Sequence, residues 1–280
     1  MHVAKGKSQL NQHLKTLLSK NKTIGFVPTM GALHFGHLHL IKQSVSQNDI
    51  SICSIYVNPT QFNDPIDFEK YPRNSVKDIE FLKGVGLDIV YLPDYDELYP
   101  SEKERLIDYT DNQLFSVFEG EFRPGHFLGV VTVVMRLFEH VNPSKAYFGL
   151  KDYQQYLVIK RATPKFFKAI EIIGVPTVRN ENGLALSSRN KRLNNEQLEL
   201  SVAIPKALRH LEQSRGTVDM EIAINESKEL IRAAGLKLDY LDVCDKTDLK
   251  RRKIWGDENE NVALCAAFMG QVRLIDNRIF

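Results

Sequence analysis

The sequence predicts an α/β protein in which a parallel sheet is flanked by helices and is followed by a smaller C-terminal α+β domain. Up to residue 177, apolar stretches rich in β-branched residues alternate with amphipathic helical stretches. Such alternation is typical of strand–helix–strand units and a parallel sheet. After residue 178, two helical stretches precede several short strands with polar turns between them, which is typical of an α+β domain. The predicted domains are therefore 1–177 and 178–280.

The predicted elements of the first domain come in a regular order. Helices are favoured where leucine or valine recurs on one face, and strands where short apolar runs end at proline or glycine. The predicted helices are 10–20, 37–47, 74–86, 127–142 and 151–163, and the predicted strands are 23–30, 49–58, 87–93, 145–149 and 169–179.

The second domain is predicted to begin with a polar loop that leads into a helix from Glu196 to His210. A second helix follows at 220–235. The strands 237–245, 261–269 and 271–278 complete the domain, and their short spacing favours hairpin-like pairing.

Composition excludes several classes of protein. The 280 residues are 43% hydrophobic and 26% charged, with a net charge of +2. The hydrophobic content argues against a disordered chain. The near balance of charge gives no overall positive electrostatic potential that would attract nucleic acid or an anionic membrane. No run approaches the ~20 apolar residues of a membrane span. The three cysteines are far apart and fit neither a disulfide framework nor a zinc knuckle. We expect buried thiols, a cytoplasmic protein, and no nucleic-acid or membrane partner.

Ligands of a Rossmann-like parallel sheet bind beyond the carboxyl ends of its strands, and the first such loop carries a group of histidines. The stretch VPTMGALHFGHLHLI, residues 27–41, places His34, His37 and His39 within six positions. If a helix begins near Gly36, the first two imidazoles lie at its positive end, where an anion is favoured. For these histidines, binding of phosphate, binding of zinc and a purely structural role in packing all stay open. The absence of H-E-x-x-H and of an evident third ligand argues against zinc.

Polar side chains also follow two later strands. Asn58 and Gln61 could bind the hydroxyls or carboxylate of a small substrate, or merely cap a proline turn. Lys151 could neutralise phosphate, Asp152 could hold a ribose or cap a helix, and Gln155 shares a helical face with Lys151.

Two further stretches carry hydroxyl, guanidinium and imidazole groups. Ser187, Ser188 and Arg189 could clamp a phosphate, or a serine could cap a helix. Arg123 and His126 flank a Pro-Gly turn that we expect to lie over the site. No P-loop, G-x-G-x-x-G or G-x-S-x-G motif is present.

A set of motifs occurs in a fixed order along the chain. They are PTMGALHFGH, VNPTQF, YPR, RPGHFLGV, FGLKDYQQ, GVPTVR, GLALSSRN and the tail RLIDN. In this ordered set the chain resembles the pantothenate synthetase (pantoate–β-alanine ligase) family of the nucleotidyl-transferase superfamily. The resemblance spans residues 22–277. It implies that pantoate attacks the α-phosphate of ATP to give pantoyl adenylate and pyrophosphate, after which β-alanine releases AMP. It also implies Mg²⁺ bound with ATP, and a homodimer.

The resemblance also implies which residues bind each substrate. His37, His34 and Lys151 are the expected catalytic residues, and Asp78 is expected to help hold magnesium. The expected ATP-binding residues are Met30, Gly31, Ala32, Leu33, His34, Phe35, Gly36, His37, Gly149, Leu150, Lys151, Asp152, Val178, Leu186, Ser187, Ser188 and Arg189. The expected pantoate- and β-alanine-binding residues are Gln61, Gln155, Asn58 and Tyr71.

Two positions depart from the family pattern. Leu150 stands where the family commonly has glutamate, and Leu186 where it commonly has methionine. The second exchange conserves volume. Two other functions stay open as alternatives, which are a different nucleotidyl transferase on the same fold and a nucleotide-binding regulator. The C-terminal domain is expected to act as a lid that shields the adenylate from water.

Overall fold

The computed structural model describes residues 1–17, 22–63, 65–101 and 106–280. Its internal contacts divide the chain into two units. The first unit comprises Met1–Leu150 and Gln155–Pro176, and the second comprises Lys151–Gln154 and Thr177–Phe280. The predicted domain limits and the lid role of the C-terminal domain stay predictions.

The described part of the first unit contains a six-stranded sheet in the order β1-β4-β3-β2-β5-β6, and all of its strand pairs are parallel. The predicted parallel sheet is therefore confirmed. The strands are β1 (His2–Lys5), β2 (Ile24–Thr29), β3 (Ile50–Ile55), β4 (Ile89–Leu92), β5 (Lys145–Gly149) and β6 (Glu171–Val175).

Helices flank this sheet, as predicted. They are α1 (Gly6–Leu17), α2 (Phe35–Gln47), α3 (Pro65–Lys70), α4 (Ser75–Phe81), α5 (Tyr95–Leu98), α6 (Glu119–Phe122), α7 (His126–Val141) and α8 (Tyr153–Phe166). The last residues of the predicted helix 10–20 lie outside the described part of the chain.

Adjacent side chains of β2 point to opposite faces of the sheet and so show how the layers pack. Val27 belongs to a buried cluster with Ile41 of α2, whereas the ring of Phe26 meets that of Phe138 of α7 edge-on, with centroids 6.2 Å apart. All four side chains are buried. Burial of each contributes on the order of 1.5–3 kcal/mol.

The strand order creates a crevice beside β2. From β2 the chain continues to β3 on one side, whereas from β5 it continues to β6 on the other side. Such a switch point is where open parallel sheets bind ligands, beyond the carboxyl ends of the two central strands. The loop after β2 is the histidine-bearing segment, and the segment after β5 begins at Leu150.

The second unit contains helices α9 (Asn195–Leu200), α10 (Ala203–Ser214) and α11 (Met220–Ala233). They accompany an antiparallel sheet in the order β7 (Lys237–Asp245), β8 (Asn261–Met269) and β9 (Val272–Ile279). Its core joins α10, α11 and the inner face of the sheet. The predicted α+β character is confirmed.

The predicted helix from Glu196 to His210 is interrupted. The chain forms α9, breaks at Ser201, and resumes as α10 at Ala203. Pro205 accounts for the break. It has no backbone N–H to donate a hydrogen bond to the carbonyl of Ser201, and its ring would clash with that carbonyl in a continuous helix. In the observed arrangement Pro205 lies in the first turn of α10, where proline is tolerated.

None of the helices in the described ranges is long and apolar enough to cross a membrane. The three cysteines, Cys53, Cys244 and Cys265, are buried free thiols, as the sequence predicted. Burial raises the pKa of the Cys53 thiol to about 12.

Candidate active site

The loop between β2 and α2 has an unusual backbone conformation. Gly31 and Ala32 both have positive φ, at 79° and 51°, in the region that glycine accepts and alanine avoids. The hydroxyl of Thr29 donates to the carbonyl of Ser54 at 2.7 Å and accepts the N–H of Gly31 at 3.2 Å. A side chain at Gly31 would collide with Asp78, since a Cβ there would lie 2.8 Å from Oδ2. The loop is therefore tightly constrained before α2 begins.

His34 and His37 cap the start of α2 together. Nδ1 of His34 accepts the N–H of Gly36 at 3.1 Å, and Nδ1 of His37 accepts the backbone N–H of His34 at 3.2 Å. Their ring centroids are 4.1 Å apart. Because each Nδ1 uses its lone pair as an acceptor, the proton of each neutral ring lies on Nε2. The two rings thus place two Nε2–H donors at the positive end of a helix, which suits phosphoryl oxygens.

Asp78, the predicted magnesium ligand, contacts the same loop. Its Oδ2 accepts the N–H of Ala32 at 2.9 Å and its Oδ1 accepts the N–H of Leu33 at 2.8 Å, and the side chain is only 6% exposed. Within the described ranges, no group of three or more His, Cys, Asp and Glu residues could hold a metal ion. The expected contact of Asp78 with magnesium stays a prediction.

Asn58 orients the side chain of Gln61. The Nδ2 group of Asn58 donates to Oε1 of Gln61 at 3.3 Å and to the carbonyl of Gly129 at 3.2 Å. Its Oδ1 accepts from the hydroxyls of Tyr99, at 2.7 Å, and of Thr60, at 3.1 Å. Asn58 is only 1% exposed, so its polar atoms bond within the protein. The predicted substrate contacts of both amides stay predictions.

Gln61 is also held by the Pro-Gly turn that carries Arg123 and His126, whose expected position over the site stays a prediction. Its backbone carbonyl accepts from Nδ1 of His126 at 2.7 Å and from Nη2 of Arg123 at 3.4 Å. The side-chain Nε2 donates to Sδ of Met30, in the histidine-bearing loop. Gln61 therefore connects the turn at Arg123 and His126 to the loop after β2, a link that the motif spacing could not reveal.

Tyr71 lies in an aromatic cluster that follows the Gln61 turn. The ring of Phe62 meets those of Phe68 and Tyr71 edge-on, with centroids 5.3 Å and 5.6 Å away. Tyr71 is half-buried. Its predicted contact with pantoate or β-alanine stays a prediction.

The segment after β5 places Leu150 against the edge of the sheet. A Cβ at Gly174 of β6 would lie 2.6 Å from Cδ2 of Leu150 and 3.1 Å from the ring of Tyr156. A Cβ at Gly149, in contrast, would meet no described atom within 4 Å. Gln155 is half-buried in the first turn of α8. Leu150 thus packs over β6 at the position where the family commonly has a glutamate.

Within the second unit, Lys151 is anchored through its backbone. Its carbonyl accepts from Nδ2 of Asn277 at 2.8 Å. Its ammonium lies 3.8 Å from Oδ1 of Asp152, and the Lys151 side chain is 18% exposed. The hydroxyl of Tyr153 donates to the carbonyl of Lys246 at 2.9 Å. This contact fixes the neighbouring turn, whereas the roles of Lys151 and Asp152 with ATP stay predictions.

The structure brings the other ATP-binding candidates of the second unit together. The carbonyl of Val178 accepts the N–H of Leu186 at 2.9 Å. The hydroxyl of Ser187 accepts the N–H of Arg189 at 3.3 Å and caps the 3₁₀ turn Ser188–Arg192. Ser187 therefore acts as a cap, which was the alternative to phosphate binding, although its hydroxyl can still donate a hydrogen bond.

The fold and the first loop together define a class of protein. The parallel sheet has a switch point beside β2, and the H-x-G-H histidines cap the start of α2. This combination is typical of nucleotide-binding α/β proteins of the nucleotidyl-transferase type. His39 is exposed and lies outside the capping pair.

Comparison with known proteins identifies the family. Residues 2–279 match the family model described as pantoate-beta-alanine ligase. The pantothenate synthetase of Phocaeicola vulgatus is 43% identical over 273 residues, covering 96% of this chain and 95% of the relative. The crystal structure of pantothenate synthetase from Thermus thermophilus superposes with a TM-score of 0.91, at 36% identity, covering 100% of this chain and 99% of that chain. The chain belongs to the pantoate–β-alanine ligase family.

A third relative carries ligands. The pantoate-beta-alanine ligase of Francisella tularensis was solved in complex with Beta-gamma ATP and beta-alanine. It is 38% identical to this chain, with a TM-score of 0.82, and the match covers 100% of this chain and 97% of that chain. The resemblance noted from the sequence motifs is thus confirmed over the full chain.

Proposed function

We propose that the chain condenses pantoate with β-alanine at the expense of ATP, through a pantoyl adenylate, and releases AMP and pyrophosphate. The observation that carries the proposal is the mutual capping of His34 and His37, which fixes two Nε2–H donors at the start of α2. Membership of an AMP-forming ligase family and the ligands of the Francisella relative support the substrates.

In the first step, an oxygen of the pantoate carboxylate attacks the α-phosphorus of ATP. The bond from that phosphorus to the bridging oxygen breaks, and pyrophosphate leaves with the electron pair. Negative charge grows on the phosphoryl oxygens, so fixed donors lower the barrier. His34 and His37 supply such donors while each ring stays neutral and keeps its Nε2 proton. Each donor of this kind is worth about 10²–10³ in kcat.

In the second step, the uncharged amine of β-alanine attacks the acyl carbon of the adenylate. The bond from the acyl carbon to the phosphate oxygen breaks, AMP departs with its electrons, and the amine loses a proton to water. We assign the orientation of pantoate to the amides of Gln61 and Gln155. Asn58 holds the Gln61 amide at 3.3 Å, and Tyr71 belongs to the aromatic cluster that follows.

Several ATP contacts belong to the proposal. They comprise the loop from Met30 to His37, the segment from Gly149 to Asp152, Val178, and the segment from Leu186 to Arg189. Lys151 and Arg189 would supply positive charge to the phosphates. The lid role of residues 178–280 is proposed with them. Crystal structures with and without ATP would test it, and an identical placement of both units would contradict it.

Magnesium is proposed as a companion of ATP. The described chain offers no cluster of three or more His, Cys, Asp and Glu residues to hold it, so the phosphates would supply most of the ligands. When bound, Mg²⁺ neutralises charge on the phosphates. Asp78, the predicted protein ligand, already accepts two backbone N–H groups.

A homodimer and a cytoplasmic location are further proposals from the family resemblance. Light scattering of the purified protein tests the first of them. A monomeric mass at working concentration would contradict it.

The function is tested by product analysis with purified protein, ATP, Mg²⁺, pantoate and β-alanine. We expect AMP and pyrophosphate in equal amounts, turnover only with all substrates present, and no turnover without pantoate. A dinucleotide-like product without AMP would indicate a different nucleotidyl transferase. Nucleotide binding without any product would indicate a regulator.

A further inference from the structure

We propose that Asp78 is a positioning residue whose carboxylate holds the turn at Gly31 and Ala32 and thereby places His34 and His37. The kinetic consequence rests on the proposed function, whereas the effect on the loop conformation does not. The proposal starts from one buried carboxylate that contacts the loop through two backbone N–H groups.

The loop has the geometry of a backbone anion site that the protein itself fills. Positive φ at Gly31 and Ala32 turns the N–H groups of Ala32 and Leu33 toward the same side. Successive N–H groups in such a turn form a concavity that binds anions. Here the anion is the carboxylate of Asp78, at 2.9 Å and 2.8 Å from the two nitrogens.

The conformation needs support from outside the loop. Alanine in the left-handed region is strained because its Cβ crowds the backbone, and Ala32 has φ of 51°. Asp78 supplies this support from a defined helix. Asn74 caps α4 by accepting the N–H of Lys77 at 2.9 Å, and the N–H of Asp78 donates to the carbonyl of Asn74 at 3.0 Å.

The same contacts determine which donors this loop leaves for phosphate. The N–H groups of Ala32 and Leu33 point to Asp78, and the N–H of Gly36 points to Nδ1 of His34. The imidazole Nε2–H groups of His34 and His37 are the donors that the proposed function assigns to the phosphates. Their position depends on the backbone that Asp78 holds, since the N–H of His34 itself bonds to His37.

The first test replaces the carboxylate with its nearest neutral isostere, Asp78→Asn. One N–H would keep an acceptor, whereas the other would face the NH₂ group. We expect kcat to fall by about 10²-fold, as misplaced catalytic groups do, with the Mg²⁺ requirement unchanged. Asp88→Asn is the matched control, because Oδ2 of Asp88 also accepts a backbone N–H, that of Ser51 at 2.8 Å, at the opposite end of the strands. The control should keep the wild-type rate.

The second test asks whether loop strain is the cause. Glycine accepts positive φ without strain. Adding Ala32→Gly to Asp78→Asn should therefore raise kcat about tenfold above that of Asp78→Asn alone. If Asp78 were instead a metal ligand, Ala32→Gly would restore nothing. Loss of the Asp78 carboxylate would then raise the Mg²⁺ concentration that gives a half-maximal rate by about tenfold or more. That result would overturn the proposal.

The third test reads the loop directly, without turnover. In amide NMR spectra and hydrogen exchange, the Ala32 and Leu33 signals should be downfield and protected in the wild type, and the one whose N–H faces the NH₂ group in Asp78→Asn should lose both features. If these signals do not change, the proposal is wrong. If Asp78→Asn fails to fold, rapid exchange of both amides in the wild type would still refute it. A wild type that makes no AMP would refute the function but leave this test intact.

Discussion

The hydrogen bond from His126 to the carbonyl of Gln61 gives a sharp prediction. Replacing His126 with phenylalanine keeps a ring of similar shape but removes the Nδ1 donor, 2.7 Å from the carbonyl oxygen. His126 is 6% exposed, so water would not readily replace the donor. Leaving a buried acceptor unsatisfied costs about 1–3 kcal/mol. Because Nη2 of Arg123 still reaches this oxygen at 3.4 Å, we expect a loss of about 1–2 kcal/mol in the free energy of unfolding.

The same replacement should affect pantoate more than ATP. His126 fixes the backbone of Gln61, whose amide we assign to pantoate. A shift of that amide that costs about 1.4 kcal/mol in the transition state lowers kcat/KM for pantoate by about tenfold. The Michaelis constant for ATP should stay at its wild-type value. Urea unfolding and initial rates at varied pantoate and ATP measure both quantities.

His140→Phe is the matched control. His140 lies on the same helix, is also 6% exposed, and its Nδ1 bonds to the hydroxyl of Tyr91 at 2.8 Å. Burial lowers the pKa of His140, so His140→Phe exchanges a neutral ring for a neutral ring at neutral pH. The control should lose similar stability and leave the pantoate kinetics intact. Equal kinetic effects of His126→Phe and His140→Phe would refute the positioning role.

Three further predictions follow from other contacts. In initial-rate assays, His37→Ala should lower kcat by about 10²-fold or more. His39→Ala, at an exposed position, should keep the wild-type rate, and equal rates for both variants would contradict the capping-pair mechanism. Asp276→Asn should lower the free energy of unfolding in urea titration by about 3 kcal/mol, because it breaks a bidentate pair with Arg179 at 2.6 Å and 2.9 Å. An unchanged midpoint of the urea unfolding transition would contradict this. Burial raises the pKa of the Cys53 thiol to about 12, so this thiol stays protonated at neutral pH, and a thiol reagent such as Ellman's should react only after unfolding.

The parallel sheet could be predicted because its central strands are apolar runs that contrast with the amphipathic helices between them. The strand β1 could not be predicted, since only Val3 and Ala4 of its four residues are apolar. It forms because it pairs along β4, from His2 with Ile89 to Lys5 with Leu92. Pairing with a distant strand leaves no local pattern.

The site shows the same division between local and distant causes. The motifs predicted the loop after β2 because histidine, glycine and a helix start lie together in the sequence. The contact of Asp78 with that loop spans 46 residues to Ala32 and has no sequence signal. The hydrogen bonds of the Asn58 side chain with Tyr99 and with the backbone of Gly129, both distant in the chain, likewise have no sequence signal.

Transfer of labelled oxygen tests the adenylate route most directly. Pantoate whose carboxylate carries the heavy isotope of oxygen is supplied with ATP, Mg²⁺, β-alanine and the purified protein. If the carboxylate attacks the α-phosphorus, one heavy oxygen moves into AMP and mass spectrometry finds it there. If AMP forms without the label, or the label appears in phosphate or pyrophosphate, pantoate was not activated as an adenylate and the proposed mechanism is wrong.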